Sequence, residues 1–428
     1  MYLADSRSAD GARSPGRSTR SGRAAVAVPS TVIVLGTVSL ITDVSSEMVT
    51  AVLPLYFVAQ LGMSPLGFGL LDGVYNGVTA LVRLVGGRLA DQGGSAHKMI
   101  AVIGYGLSAL CKPFLLLAHS VPLIGAVLAA DRTGKGLRTA PRDAMISFAT
   151  EPASRGRAFG VHRAMDTGGA LLGPVVAFLV LRVAAGGYDA VFGLSGCIAA
   201  LGVVVLLLFV PRRIADGPAA VPAPDERRAP LRRLIRRPAV RRLTACAVLL
   251  GLTSVSDSFL YLGLQRRLDL SDTWFPLLPL GTAAGFLLLA YPFGRVADRI
   301  GRRRLFLLGH LGLLGAYVLL LAPGAGKGSV LLPCLVLSVH GAFYAATDGV
   351  LAAATADAVP EEERGSGLAV VQTGQAAARF LCSIGFGAAW TSWGDRGALA
   401  IATAGLVAAV AVSAVLLRPA AGSREEER

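Results

Sequence analysis

The sequence predicts an all-α integral membrane protein, with twelve transmembrane helices in two six-helix, pseudo-symmetric halves. Three observations carry this. Of 428 residues, 54% are hydrophobic and only 16% are charged, too little charge for a soluble chain of this length. The apolar residues fall in runs of about 20 or more, the length that crosses a hydrocarbon core. A short charged turn is also written twice, roughly half a chain apart. It reads Gly87-Arg88-Leu89-Ala90-Asp91 first, and Gly294-Arg295-Val296-Ala297-Asp298-Arg299-Ile300-Gly301-Arg302-Arg303-Arg304 second.

The apolar segments of the first half are 31–58, 66–89, 99–119, 121–146, 158–182 and 188–210. Those of the second are 243–264, 274–294, 304–322, 329–351, 367–389 and 396–418. Each is expected to be helical, because a chain crossing lipid must satisfy its own backbone hydrogen bonds. The short alternating strands of a barrel are not seen. Around them the chain divides into a basic, Ser/Gly/Arg/Ala-rich tail at 1–29, read as disordered, and a first half at 30–210. A basic, proline-bearing linker follows at 211–242, then a second half at 243–418 and a tail at 419–428. The tail 1–29 lacks an apolar core with a cleavage site, so no removable signal peptide is expected.

The formal net charge is +14, and its placement is more informative than its size. Arginines gather in 1–29, 211–242 and 295–304, which share one side if the spans alternate. The opposite turns, such as 59–65 and 117–121, are nearly uncharged. Arginine accumulates on the cytoplasmic side, so both termini are expected inside, with the protein in the inner (plasma) membrane. The linker can also meet anionic lipid. No folded domain presents these arginines to a nucleic acid, and no such partner is expected. Cys111, Cys197, Cys246, Cys334 and Cys382 all lie in apolar spans without a Cys-x-x-Cys pair. They read as small buried hydrophobes, with neither a metal nor a disulfide framework. No cofactor is expected.

The internal repeat shows at a second place. Glu151-Pro152-Ala153-Ser154-Arg155-Gly156-Arg157 corresponds to Pro360-Glu361-Glu362-Glu363-Arg364-Gly365-Ser366, each opening the fifth span of its half. Their acids suit the positive end of the following helix. Taken together, these residues resemble the major facilitator superfamily over roughly 31–418. That family's loop motif, Gly-x-x-x-Asp-Arg-x-Gly-Arg-Arg, is matched from Gly294 to Arg303, including Asp298, Arg299 and Arg302. The first copy fits through Gly87 and Asp91, then departs at Gln92. The helix-4 Arg followed by Gly is matched by Arg132 and Gly136, and the helix-5 Gly-x-x-x-Gly-Pro by Gly169, Gly173 and Pro174. The last is similar to the signature of drug–proton antiporters, and the run 131–143 looks like a poorly characterised prokaryotic branch. The resemblance implies the major facilitator fold, transport of a small molecule and gating by the two charged loops.

The membrane spans nevertheless carry charge, at a cost of about 2.5–3.5 kcal/mol per group. Asp43 and Glu47 lie one turn apart on the first span, and Thr50 and Pro54 extend their face. Asp72, Asn76, Thr79 and Arg83 form a stripe on the second. The fourth carries Asp131, Arg132, Lys135, Arg138 and Arg142, and the fifth His162, Arg163 and Asp166. Such stripes must face one another or water. Desolvation favours a protonated carboxylate and a nearby cation favours an ionised one, so an acid that alternates between these settings can carry a proton. Asp43, Glu47 and Asp131 are the candidates, with Arg83, Arg132 and Lys135 as their cations; fixed ion pairs locking the half are the plainer reading. The second half offers Asp257 and Tyr261, His340 and Tyr344, and Gln372 and Gln375 as a wall that can hydrogen-bond a substrate. Gly169 and Gly173 allow close helix approach and Pro174 a bend.

Gly134-Lys135 is not a nucleotide loop. Ala129 stands where a glycine is required and no Ser or Thr follows the lysine. Without an ATPase domain, active transport would be secondary. No nucleophile–base pair marks an enzyme and no soluble module marks a receptor. The expectation is a proton-coupled exporter of a small organic solute, working as a monomer with protons as second partner. A proton-coupled importer or an exchanger of an anionic metabolite is the alternative.

Overall fold

The computed structural model describes residues 28–90, 96–151, 154–184, 187–211, 236–322, 331–360 and 364–417. All regular structure among them is helical. In the first half the helices are α1 (Ser30–Leu55), α2 (Pro65–Ala90), α3 (Ala96–Leu117), α4 (Val121–Phe148), α5 (Arg155–Val183) and α6 (Gly187–Phe209). Pro54 lies inside α1, which widens into a π-helical turn at Tyr56–Gln60 directly after it. The missing proline donor explains the change of winding.

The second half begins with α7 (Pro238–Gly251) and α8 (Asp257–Leu268), then a 3₁₀ turn at Phe275–Leu277. There follow α9 (Leu278–Ile300), α10 (Arg302–Leu321), α11 (Leu331–Thr347), α12 (Val350–Asp357) and α13 (Arg364–Leu416). Among the described residues, eight helical stretches are long and apolar enough to cross a membrane, the last of them long enough for two crossings. The charged α4, α2 and the α7–α8 pair complete twelve.

The expected span 243–264 is therefore not one helix. It breaks between Gly251 and Asp257, where Thr253 and Ser254 turn their hydroxyls back onto the Leu250 carbonyl at 3.0 and 2.8 Å. Such back-bonding competes with continued winding. Tyr317 of α10 satisfies the freed backbone, accepting from the Val255 N–H at 2.7 Å and donating to the Thr253 carbonyl at 3.1 Å. The span 329–351 is also broken, at Gly349 with φ 78°. Spans 367–389 and 396–418, in contrast, run on from one another through Gly394, whose φ of 73° turns the chain without a loop. Only glycine adopts such a backbone readily.

Within the first half, α1 packs on α5 and α6, α2 on α4, and α3 on α4 and α6. Within the second, α9 and α10 pack on α11, and α7 and α10 on α13. The contacts are close. A Cβ at Gly173 would stand 2.7 Å from Glu47 Cβ and 2.9 Å from the Met48 nitrogen, so α5 lies directly on α1. The halves meet at the end opposite the arginine-rich turns. There α2 presses on α13, and a Cβ at Gly69 would collide with the Ser383 carbonyl. Leu66 N–H donates to Thr391 Oγ1 at 3.2 Å, Ser383 Oγ to Asp72 Oδ2 at 2.7 Å, and Phe68 packs edge-on against Phe259. Two cysteines depart from expectation: Cys197 and Cys334 are exposed, while Cys111, Cys246 and Cys382 are buried. On a lipid-facing surface a thiol behaves as one more small apolar group.

Candidate functional site

Helix α4 is the spine of the site. Its charges recur every three or four residues, which aligns them along one face. Each is met by an acid from another helix or by its own neighbour. Lys135 Nζ lies 3.3 Å from Glu47 Oε1, with a quarter of each side chain accessible. Arg138 Nη2 lies 3.3 Å from Asp43 Oδ1, and the pair is nearly enclosed. Arg142 lies 2.9 Å from Asp143 and 3.5 Å from Asp166 of α5. Asp43 and Asp166 stand within hydrogen-bonding reach of each other. Two carboxyl groups are thus held side by side, flanked by two arginines.

Asp131 is arranged differently. It is buried between Lys112 Nζ at 2.8 Å and Arg132 Nη2 at 2.7 Å. Ser108 Oγ donates to its backbone carbonyl at 3.0 Å. Arg132 lies over the Tyr75 ring, 4.0 Å from its centre, and Tyr75 in turn is 2.6 Å from Thr50 Oγ1. Arg138 lies over Tyr105 at 4.3 Å, a favourable seat for a cation out of water. Its Nη1 is buried with no hydrogen-bond partner among the described residues. Below it, Ser39 Oγ joins Arg142 Nη1 at 3.3 Å to His162 Nε2 at 3.0 Å.

The opposing wall lies on α8, α9 and α11. Tyr344 donates to Asp257 Oδ1 at 2.7 Å, and His340 Nε2 approaches the same oxygen at 3.4 Å. His340 Nδ1 lies 3.4 Å from Thr282 Oγ1, to which Tyr261 donates at 3.0 Å. Asp257, Tyr344, His340, Thr282 and Tyr261 thus form one connected chain. Gln372 is exposed and Gln375 half-buried; they stand apart from it. Asn76 turns back onto its own helix, donating from Nδ2 to the Asp72 carbonyl at 2.9 Å.

Of the gating candidates, Arg302 pairs with Asp357 at 2.6 Å, tying the start of α10 to the end of α12. Asp298 and Arg299 are exposed, and a Cβ at Gly294 would meet nothing within 4 Å. Asp91 lies outside the described residues, and so do the side chain of Arg83 and the surroundings of Gly87. Gly169 and Gly173 press on α1, and a Cβ at Gly169 would collide with the Leu40 carbonyl. Pro174 is buried in α5 beside them.

Sequence reasoning missed Lys112, Tyr75, Tyr105, Ser39, Thr282 and Ser383 as members of these networks. Lys112 carries the clearest signal, a lone charge in an apolar run followed by Pro113. Intramembrane lysine is costly and marks a partner. Among the described side chains, Lys112, Arg132, Lys135, Arg138, Arg142 and Arg163 each lie within 4.0 Å of a carboxylate of Asp43, Glu47, Asp131, Asp143 or Asp166. Among the described residues no cluster of three or more His, Cys, Asp or Glu can hold a metal.

Known proteins resemble this chain to different depths. The family model of the Major Facilitator Superfamily matches residues 35–288 and 259–428. An uncharacterized MFS-type transporter of Methanocaldococcus jannaschii is 28% identical over 351 residues, covering 80% of this chain and 84% of the relative. The multidrug resistance protein MdtH of Photorhabdus laumondii is 30% identical over 135 residues, 32% of this chain and 33% of that protein. Among solved structures, the nucleoside transporter NupG superimposes with a TM-score of 0.74 at 11% identity. The match covers 91% of this chain and 100% of that one, a likeness of fold alone.

Proposed function

Because the chain belongs to the Major Facilitator Superfamily, and is thus a multi-pass secondary transporter rather than an enzyme, we propose that it exports a small organic solute in exchange for protons. Asp43 and Asp166 carry the proton in this reading. The observation behind it is their juxtaposition in the first half, between Arg138 and Arg142. Adjacent carboxyl groups readily share one proton, and flanking cations expel it. In the present conformation the halves are closed opposite the arginine-rich turns, and Asp43 is paired with Arg138. Rocking the halves apart at that end would open the interior face of the first half to water on the other side, so that the Asp43–Asp166 pair loads its proton from there. Glu47 and Lys135, more accessible, lie where an incoming solute competes for the same charges. Asp131, gripped by Lys112 and Arg132, acts as the fixed point of the half.

The direction rests on the helix-5 motif at Gly169, Gly173 and Pro174 and on the partial likeness to MdtH. The chain Asp257–Tyr344–His340–Thr282–Tyr261 supplies the hydrogen bonds of the facing wall. On the arginine distribution, both termini are cytoplasmic, the protein lies in the inner membrane, and a monomer suffices.

The test is a panel of solutes in proteoliposomes with an imposed pH gradient. Asp43→Asn or Asp166→Asn is expected to abolish gradient-driven accumulation while leaving counterflow exchange within about two- to threefold of wild type, with Glu47→Gln weaker in effect. If none of the three alters the pH dependence of transport, these carboxylates are structural and coupling through the first half is wrong.

A further inference from the structure

A separate chamber opens in the second half, at the end opposite the arginine-rich turns. Its volume is about 360 Å³, within the range of roughly 300–1,000 Å³ for small-molecule pockets. The floor is apolar and aromatic, built from Val255, Phe259, Tyr317, Phe386 and Trp390. The mouth is charged, with Arg266, Arg267 and Arg396 set against Asp395 alone. It is distinct from the polar network of the first half and shares no residue with the Asp257 chain.

The sequence builds this shape simply. On α8, Phe259, Gly263, Arg266 and Arg267 follow at three- or four-residue spacing, so one face runs from ring to gap to cations. Gly394 brings the start of the last span back over the mouth, carrying Asp395 and Arg396 with it. Arg267 is anchored, donating to the carbonyls of Leu319, Leu320 and Ala322 at the end of α10. Arg266 lies over the Trp390 ring, 5.1 Å from its centre. Neither Arg266 nor Arg396 pairs with a carboxylate among the described residues. Asp395, exposed, accepts the Arg396 backbone N–H at 2.8 Å.

We propose that this chamber binds an anionic amphiphile, its phosphate or carboxylate head on Arg266 and Arg396 and its hydrocarbon body on the aromatic floor. Three arginines with Asp395 as the one acid among them, above an apolar and aromatic floor, match that chemistry and no simpler one. A purely apolar guest leaves the arginines unused, and a bare anion leaves the floor empty. The site lies at the ends of α8 and α10 and at the turn between the last two spans, so the occupant is either a bilayer lipid or a free solute of the same chemistry. Cations near a bilayer surface attract acidic headgroups, and aromatic rings accept the body below.

Gly263 provides the discriminating substitution. A Cβ there meets nothing within 4 Å, so Gly263→Leu fills the chamber without disturbing packing and is welcome in a helix. The full chain is reconstituted in phosphatidylcholine nanodiscs and titrated with decyl phosphate and with decanol. Parallel discs doped with phosphatidylglycerol are read by native mass spectrometry for retained lipid. Wild type is expected to bind decyl phosphate saturably, or to retain phosphatidylglycerol that decyl phosphate displaces; the first without the second identifies a free solute, the second a lipid. The double variant Arg266→Gln/Arg396→Gln should weaken the charged probe about tenfold and leave decanol unchanged. Gly263→Leu should remove both. Failure of wild type to hold either anionic probe, or equal binding by wild type and Gly263→Leu, overturns the proposal even if the double variant does not fold.

Discussion

The charge of Lys112 lies 2.8 Å from Asp131, and both side chains are nearly inaccessible. Asp131 also holds Arg132 at 2.7 Å, so removing its charge strands two cations in a medium that cannot solvate them, at about 3–5 kcal/mol or more. Asp131→Asn should therefore lower the thermal midpoint of the detergent-purified protein sharply. Adding Lys112→Met should recover part of the loss, because only Arg132, seated over Tyr75, is then left without an acid. No recovery of stability or yield in the double variant would show that Lys112 acts through packing rather than charge. At this scale the sequence was partly legible. Asp43, Glu47, Asp131 and the cations of α4 stand out, since each charge in an apolar run demands a reason. Their partners were less so: a tyrosine or serine in an apolar run has many uses, and only the fold shows that Tyr75 and Tyr105 lie beneath Arg132 and Arg138. The pairing of Asp43 with Asp166, far apart along the chain, depends on how α1 and α5 cross.

Among elements, the contact of α2 with α13 is decisive for conformation. Gly69 lies against backbone on its partner, and a side chain there cannot be accommodated by rotamer change. Gly69→Val should hold the halves apart at that end and enrich the alternative state. Cysteines at Leu66 and Thr391, whose backbone nitrogen and hydroxyl are 3.2 Å apart, should form a disulfide readily in the parent and much more slowly in the Gly69→Val background. Equal cross-linking rates would mean that this contact does not define the closed state. The helices themselves were legible from run length and composition. The breaks were not. In 243–264 the interruption falls among Thr253, Ser254 and Ser256, residues that also sit comfortably in an intact membrane helix. It is stabilised by Tyr317, 62 positions from the Val255 nitrogen it receives. Gly394, by contrast, stands in an obvious turn; the surprise is that one glycine suffices.

For the whole molecule, duplication was visible in the paired turns and paired acidic segments, and it led directly to two halves and twelve crossings. Which end is closed was not visible, because that depends on contacts such as Asp72 with Ser383, which join distant parts of the chain. Orientation follows from charge. Cysteines at Ser18, Ala220 and Ser423, in a background without the native thiols, should resist an impermeant thiol reagent in intact cells and react after lysis. All three lie outside the described residues, so the test rests on topology alone. Labelling of any one from outside would overturn the twelve-span assignment. At the break before α8, a single phenol both receives and gives a hydrogen bond, replacing the ladder that a continuous helix would carry. The same Tyr317 is part of the floor of the outer chamber. The joint and the chamber therefore share a wall, and whatever fills the chamber leans on the hinge of the helix that carries Asp257.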